Sequence, residues 1–437
     1  MRFSIIEYLH RGHLSPISFL NRKNMKIKFI FLLSLLLFSC SHIYIAPGQK
    51  ISRISAEHTQ TIYIAGDFGS PSSLLKDVTS SIAKDAARQS SQPYILGLGD
   101  NLYVKGFPHR DARTSKPFAK LCKIAKLFNK CRYKEQPIPL ITIPGNHDYN
   151  DDAVSVKRTW GNIAPWYFLR QMAPQSKLFE QWLFMPGDAN PHSSASELYE
   201  YLYSDLQNLV TFMKPQKIPV ENSSTAIIAM DSELVIDLFA AGYYDLAKKY
   251  LQSLEEVLRE NKNHKWVIVL THHPLASYAK HRPGKWGSFL LGPGWPQFSK
   301  WWHKVLMVPP LGTLTTFGWW AIHYPQDIHS CAYENYRKAV YAMLKDNNVS
   351  LVISGHEHCT QLIDLQQTVL NTKNTSSTCM QLVCGEAAKQ DPVTNGKGTL
   401  FFHTGGGYSQ LKFFDKELLI EMRDRQGNQL YNYVINE

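Results

Sequence analysis

The chain has 437 residues, of which 44% are hydrophobic, 12% aromatic and 19% charged. That composition supplies a large core and excludes a wholly disordered or collagen-like chain. The formal net charge is +11, but the first 39 residues hold six basic side chains (Arg2, Arg11, Arg22, Lys23, Lys26, Lys28) against one acid (Glu7), which leaves a mild +6 for the remainder. A weak positive field suits a phosphorylated substrate, and no basic stripe interleaved with aromatics marks a nucleic-acid surface.

Near the N-terminus, Met25 opens a short pattern: Lys26 and Lys28, the apolar run from Phe29 to Phe38, then LFSC ending at Cys40. A basic start and an apolar run of roughly ten residues read as an export signal, too short for a bilayer span of about 20 residues. The LFSC end resembles the lipobox of bacterial lipoproteins, in which the Cys is lipidated and becomes the mature N-terminus. Residues 1–39 are then an upstream extension plus signal, and 40–60 a tether. The expected location is the periplasm or cell surface, with membrane attachment through Cys40; an ordinary secretory signal with an incidental Cys is the alternative. Setting Cys40 aside leaves six cysteines, an even number compatible with disulfides in an exported protein. Local spacing favours Cys122 with Cys131 and Cys379 with Cys384. No CxxC pair supports a zinc finger.

From Thr61 apolar strands alternate with helical patterns, the α/β signature. Runs TIYIA, YILGL, IPLITIP, KWVIVL and VSLVIS have strand length and β-branched content. Five clusters recur along the chain, four of them directly after such a run: GDFG at 66–69, GDNLY at 99–103, GNHD at 145–148, VLTHH at 269–273 and GHEH at 355–358. Asp, Asn, Tyr and His at the ends of successive strands converge on one sheet edge, where open α/β sheets place their sites. A further strand is expected in STAIIAMDS, and a helix over Asp245–Glu260 with Leu246, Tyr250, Leu254, Val257 and Leu258 on one face. Between His281 and Tyr324 glycines and prolines mix with six of the ten tryptophans, and Val305–Gln326 carries no Asp, Glu, Lys or Arg. An insertion at about 282–325 is the expectation, folded on the body or touching a membrane interface.

The five clusters, in this order, resemble the purple acid phosphatases of the calcineurin-like metallophosphoesterases, whose pattern is GDxG, GDxxY, GNH(D/E), VxxH and GHxH. The resemblance covers most of the chain from Thr61 to Gly407 outside the Trp-rich segment. It implies an α/β fold in which a two-sheet β-sandwich is flanked by helices as four α/β/β/α layers. It also implies two metal ions, Fe(III) plus Fe(II), Zn or Mn. Carried over residue by residue, Asp67, Tyr103 and His358 bind the first metal and Asp100 bridges both. Asn146, His272 and His356 bind the second. A phenolate from Tyr103 is the ligand that suits Fe(III). His147 would hold the phosphate or protonate the leaving group, and Asp148 would orient an imidazole. THHPLASYAKH is similar to the segment of the small, mammalian-type tartrate-resistant enzymes that bears a second substrate-side histidine, here His281. His403 is read as structural.

The resemblance thus implies an acid phosphatase that hydrolyses monoesters of phosphorylated small molecules with metal-bound hydroxide. Two alternatives stay open: a phosphodiesterase or lipid-phosphate phosphatase, and a non-catalytic surface-binding lipoprotein on the same fold. The sequence leaves the oligomeric state open.

Overall fold

In the strand Gln60–Ala65 the side chains divide between two cores, Ile62 and Ile64 on one face and Tyr63 and Ala65 on the other. Trp266–Leu270 divides in the same way, with Ile268 and Leu270 opposed to Val267 and Val269. Continuous apolar runs are what a sheet covered on both faces requires, and they set the layering of the whole molecule. The computed structural model describes residues 42–49, 59–107, 115–149, 160–173, 177–188, 191–222, 224–279, 281, 326, 328, 330–368 and 379–437. The expected export signal with Cys40 and the Trp-rich segment expected at 282–325 lie outside them.

In chain order the strands are β1 (His42–Ile45), β2 (Gln60–Ala65), β3 (Tyr94–Gly97), β4 (Arg132–Tyr133), β5 (Gln136–Pro137), β6 (Leu140–Thr142), β7 (Trp182–Phe184), β8 (Gln216–Lys217) and β9 (Thr225–Ala229). They continue as β10 (Trp266–Leu270), β11 (Val349–Ser354), β12 (Thr360–Asp364), β13 (Met380–Cys384), β14 (Thr399–Thr404), β15 (Gly407–Phe413), β16 (Glu417–Asp424) and β17 (Gln429–Asn436). One sheet runs β17-β16-β15-β2-β3-β6-β7 and the other β1-β14-β12-β13-β11-β10-β9-β8. Each is mixed: β2, β3, β6 and β7 are parallel, as are β9, β10, β11 and β13, while the β15 to β17 meander and the β12 and β14 pairings are antiparallel.

The two sheets bury a shared apolar layer that includes Ile62, Leu96, Ile141, Ile268, Leu351, Leu382, Phe401, Leu411 and Ile420. Helices cover their outer faces, giving the expected layered α/β sandwich. Ser73–Ala86 and Lys116–Phe128 pack beside the first sheet and start at Ser72 and Ser115, whose hydroxyls accept from Leu75 N and Phe118 N. Ser232–Ala240, Tyr244–Asn261 and Cys331–Asp346 contribute to the same outer core. The helix expected over Asp245–Glu260 is Tyr244–Asn261, with Tyr250, Leu254 and Leu258 buried. Among the described residues no helix is long and apolar enough to cross a membrane.

Two expectations are corrected. The tether expected at 40–60 contains β1, which pairs antiparallel with β14 and stacks Tyr44 on Phe402 at 5.3 Å. A four-residue strand with a partner more than 350 residues away leaves no local pattern. The favoured disulfides are absent, and all six described cysteines are free. Cys379 immediately precedes β13 and Cys384 ends it, so about five residues of extended chain, roughly 16 Å, separate them. Cys122 sits inside a helix that ends before Cys131, and the Cys131 thiol donates to the Thr79 carbonyl instead. Disulfides need Cα atoms within about 7 Å.

One buried ion pair ties β14 to the loop after β13. Glu386, fully buried, accepts from His403 Nδ1 and Thr360 Oγ1, both at 2.8 Å, and from the amides of Gly405 and Gly406. Burial pulls the His403 imidazole toward neutrality, but the bond and charge of Glu386 outweigh it and hold its pKa above 6.5. Stability from this pair is therefore complete below 6.5 and is lost as the pH rises through the higher folded-state value. Thermal unfolding of wild type and His403→Gln between about pH 5 and about pH 9 should show a gap that is widest at the acidic end and narrows with rising pH.

Candidate metal centre

All five clusters follow the carboxyl ends of parallel strands. Asp67, Asp100 and Asn146 lie beyond β2, β3 and β6 of one sheet, and His272 and His356 lie beyond β10 and β11 of the other. The two sheet edges thus present their loops to each other. The chain turns sharply to do this: Asp67, Asp100 and His356 have φ of 57°, 52° and 68°, a left-handed conformation that non-glycine residues adopt rarely and that concentrates at functional sites. The glycines of the motifs are needed for close approach. A Cβ on Gly99 (φ 91°) would lie 2.6 Å from His272 Nδ1, and one on Gly355 would lie 2.6 Å from Asp67 Oδ2.

The residues expected to bind metal are brought together and buried. Asp67, Asp100 and His272 offer ligand atoms within 4.8 Å of one another, as do His272, His273 and His356. Tyr103 donates its hydroxyl to Asp67 Oδ1 at 2.9 Å and lies 3.0 Å from His358 Nε2. Asn146 Oδ1 and Asp100 Oδ1 stand 3.1 and 3.4 Å from His272 Nε2. The far nitrogens of two rings are anchored: His272 Nδ1 donates to the Leu98 carbonyl at 2.6 Å and His358 Nδ1 pairs with Asp391 Oδ2 at 2.5 Å. Anchoring Nδ1 presents Nε2 with its lone pair toward the centre.

These residues fit a cation pair. Burial and the charge of Asp100 push the Asp67 carboxyl well above the usual carboxylate range. Burial also works against ionisation of Asp100, but the positive potential of His147, His272 and Lys389 outweighs it and holds that carboxyl low. Burial, then the neighbouring His281, His273 and His272, drive His356 well below the ordinary histidine value, and its buried Nε2 has no hydrogen-bond partner among the described residues. An orphaned buried imidazole nitrogen grouped with His272, which also groups with two carboxylates, fits a donor set for metal. Tyr103, by contrast, is pushed up by burial and then by Asp100 and Asp67. Only a strongly charged ligand partner would make it a phenolate.

The two histidines expected on the substrate side border the cluster. His147 keeps 27% of its side chain exposed, turns Nδ1 to the Val104 carbonyl and sets Nε2 3.9 Å from Asp100 Oδ2. The His281 ring lies 4.3 Å from that of His356, and its amide donates to both oxygens of Glu357. Asp148 is a correction. It accepts from the amides of Asn101 and Gly145 and from Asn101 Nδ2, at 2.8 to 3.2 Å, so it clamps two loop backbones and does not orient an imidazole. His273 is engaged at both nitrogens, with Ser232 Oγ at 2.9 Å and Gln326 Oε1 at 2.5 Å, and acts as a buttress behind His356.

Sequence reading missed Asp391, Glu357 and Lys389. Glu357 lies inside a motif and could have been flagged as the one buried acid between two ligand histidines. Asp391 and Lys389 belong to no motif, and only the fold places them here.

A family model for calcineurin-like phosphoesterases matches residues 35–293, more than half of the sequence, and the chain belongs to that family. His356 and His358 lie beyond the matched span, and the fold returns them to the other ligands. No curated protein matches the sequence. Among solved structures, GAP50, the anchor in the inner membrane complex of Plasmodium, has a TM-score of 0.49 at 13% identity, over 87% of this chain and 89% of that one. PhoD scores 0.47 at 11% identity, over 88% and 70%. Purple acid phosphatase PPD1 from yellow lupin (Lupinus luteus) seeds scores 0.42 at 16% identity, over 86% and 53%.

The Asp391 carboxylate fixes the tautomer of His358, and replacing such a partner weakens metal affinity by about 10- to 100-fold. Asp391→Asn should retain the fold by circular dichroism and lose metal to a graded chelator earlier than wild type by a factor in that range.

Proposed function

We propose that the chain is an exported, lipid-anchored phosphomonoesterase of the purple acid phosphatase kind, closest in its substrate side to the small tartrate-resistant type. The observation that carries this reading is the position of Tyr103, whose hydroxyl stands between Asp67 and His358 inside a buried carboxylate and imidazole cluster. Its hydrogen-bond partners are themselves candidate ligands, and phenolate oxygen selects Fe(III). In this reading Asp67, Tyr103 and His358 would hold iron, Asn146, His272 and His356 would hold Fe(II), Zn or Mn, and Asp100 would serve both. The bound cations would neutralise phosphate charge and make a nucleophile of water near neutral pH.

The chain's own groups do the rest. His147, held through Nδ1, keeps Nε2 facing the centre, where it can donate to a phosphoryl oxygen or to the departing alcohol. His281 occupies the other flank beside His356, fixed by the Glu357 clamp on its amide. Two imidazoles, one beside Asp100 and Tyr103 and one beside His356, offer the leaving oxygen alternative proton donors. The basic start, apolar run and LFSC end of residues 25–40 support export and lipidation at Cys40.

Iron-loaded full-length protein should hydrolyse an aryl phosphate monoester and show a visible tyrosinate band. Tyr103→Phe should lose the band, and Asp100→Asn or His356→Ala should lose roughly a thousandfold or more in kcat/KM. An Asp100→Asn protein with full activity, or an active iron protein without the band, would overturn the assignment. For the anchor, Cys40→Ser should move the protein from the membrane fraction to the soluble exported fraction. Unchanged membrane retention would count against lipidation.

A further inference from the structure

We infer that Lys389 is a substrate-binding residue of this centre, an ammonium that grips the phosphoryl group and favours a dianionic monoester over a monoanionic diester. The inference rests on the phosphoesterase reading and adds to it a residue that no motif contains. Lys389 stands in the loop after β13, and its backbone is pinned on both sides. Ala387 N donates to Gly66 O at 3.3 Å and Ser72 Oγ to the Ala388 carbonyl at 3.2 Å. On the other side, Asp391 N donates to His358 O at 2.8 Å and Asp391 Oδ2 holds His358 Nδ1. The side chain therefore starts from a fixed point between the GDFG and GHEH loops.

From there the half-buried stem carries Nζ to 2.9 Å from the centroid of the Tyr103 ring. The same ring has His147 at 4.8 Å in an edge arrangement, and its hydroxyl joins Asp67 to His358. Lys389 and the substrate-side histidine thus border one aromatic wall of the metal cluster. A lysine on a purely structural wall would present its stem and send the charge to water. Here the charged end reaches the centre. An ammonium over this wall of the carboxylate and imidazole cluster adds positive potential where an anionic substrate would approach. Its three donors and flexible stem suit a phosphoryl oxygen without demanding one geometry. A monoester presents one more negative charge than a diester, and one extra unit interaction near a protein surface discriminates by about tenfold or more.

The test compares Lys389→Gln and Lys389→Arg with wild type in the full-length, metal-loaded protein. Readouts are metal content, thermal stability, inorganic-phosphate affinity by calorimetry, and kcat/KM for an aryl phosphate and a bis-aryl phosphate. The expected result is unchanged metal content, phosphate affinity lower by about tenfold in Lys389→Gln, a lower monoester-to-diester preference, and recovery of most of both in Lys389→Arg. Unchanged phosphate affinity and ester preference, with or without lower stability, would reduce Lys389 to a packing contact on Tyr103 and overturn the inference. Failure of the phosphatase reading is separate. It appears as wild type that turns over neither ester, and calorimetric phosphate affinity then still decides the role of Lys389.

Discussion

Two carboxylates, Asp67 and Asp100, are buried side by side where the edges of two sheets meet, and the rest of the site answers that constraint. Burying one ionised carboxylate is costly, and burying two together is prohibitive unless positive charge is supplied. The chain supplies part of it. Backbone amides of His356 and His147 donate to the two side chains, His272 and His147 lie close to Asp100, and Lys389 adds a full charge. What remains is a pocket of buried carboxylates lined by imidazole nitrogens of His272, His356 and His358. A divalent or trivalent cation completes that arrangement, and the left-handed backbone at Asp67, Asp100 and His356 is strain the surrounding sheets hold in place.

The fold meets the constraint by giving each sheet part of the donor set. β2, β3 and β6 deliver oxygen donors, while β10 and β11 deliver nitrogen donors, so the cluster forms only when the sandwich closes correctly. The alternating burial of Ile62 with Tyr63, and of Ile268 with Val267, fixes which way each strand end faces. Asp148 then locks the GDNLY loop to the GNHD loop through backbone amides. Glu386 does the same for the glycine-rich turn after β14. Precision at the centre comes from these backbone clamps as much as from the donors.

The layered fold was legible in the sequence, and so was the set of residues that it brings together at the candidate site, because each is written locally, as an apolar run of strand length followed by a short polar cluster. Asp391, Lys389 and β1 were not, because each acquires meaning from a partner far along the chain: His358, Tyr103 and β14 respectively. The cysteine pairing failed for a related reason. Short spacing favours contact in a flexible chain, but Cys379 and Cys384 flank a single extended strand and a helix stands between Cys122 and Cys131. Asp148 was placed in the right neighbourhood with the wrong partner, since a motif names neighbours but not the direction of a hydrogen bond.

The candidate metal donors and the proposed substrate-side groups come from different parts of the molecule. The donors are carried by strand ends of two sheets. The groups proposed to meet a substrate, His147, His281 and Lys389, come from three loops and border Tyr103 and His356. One of those loops continues into the long Trp-rich stretch, and its two roots are joined beside the centre: Ile328 N donates to the His281 carbonyl at 3.2 Å, while Gln326 bonds both His273 and Glu233. His273 in turn packs 4.4 Å from His356. The hydrogen bonds at those roots and the buried His273 therefore tie the His281 side of the cluster to the sheet that carries His272 and His356.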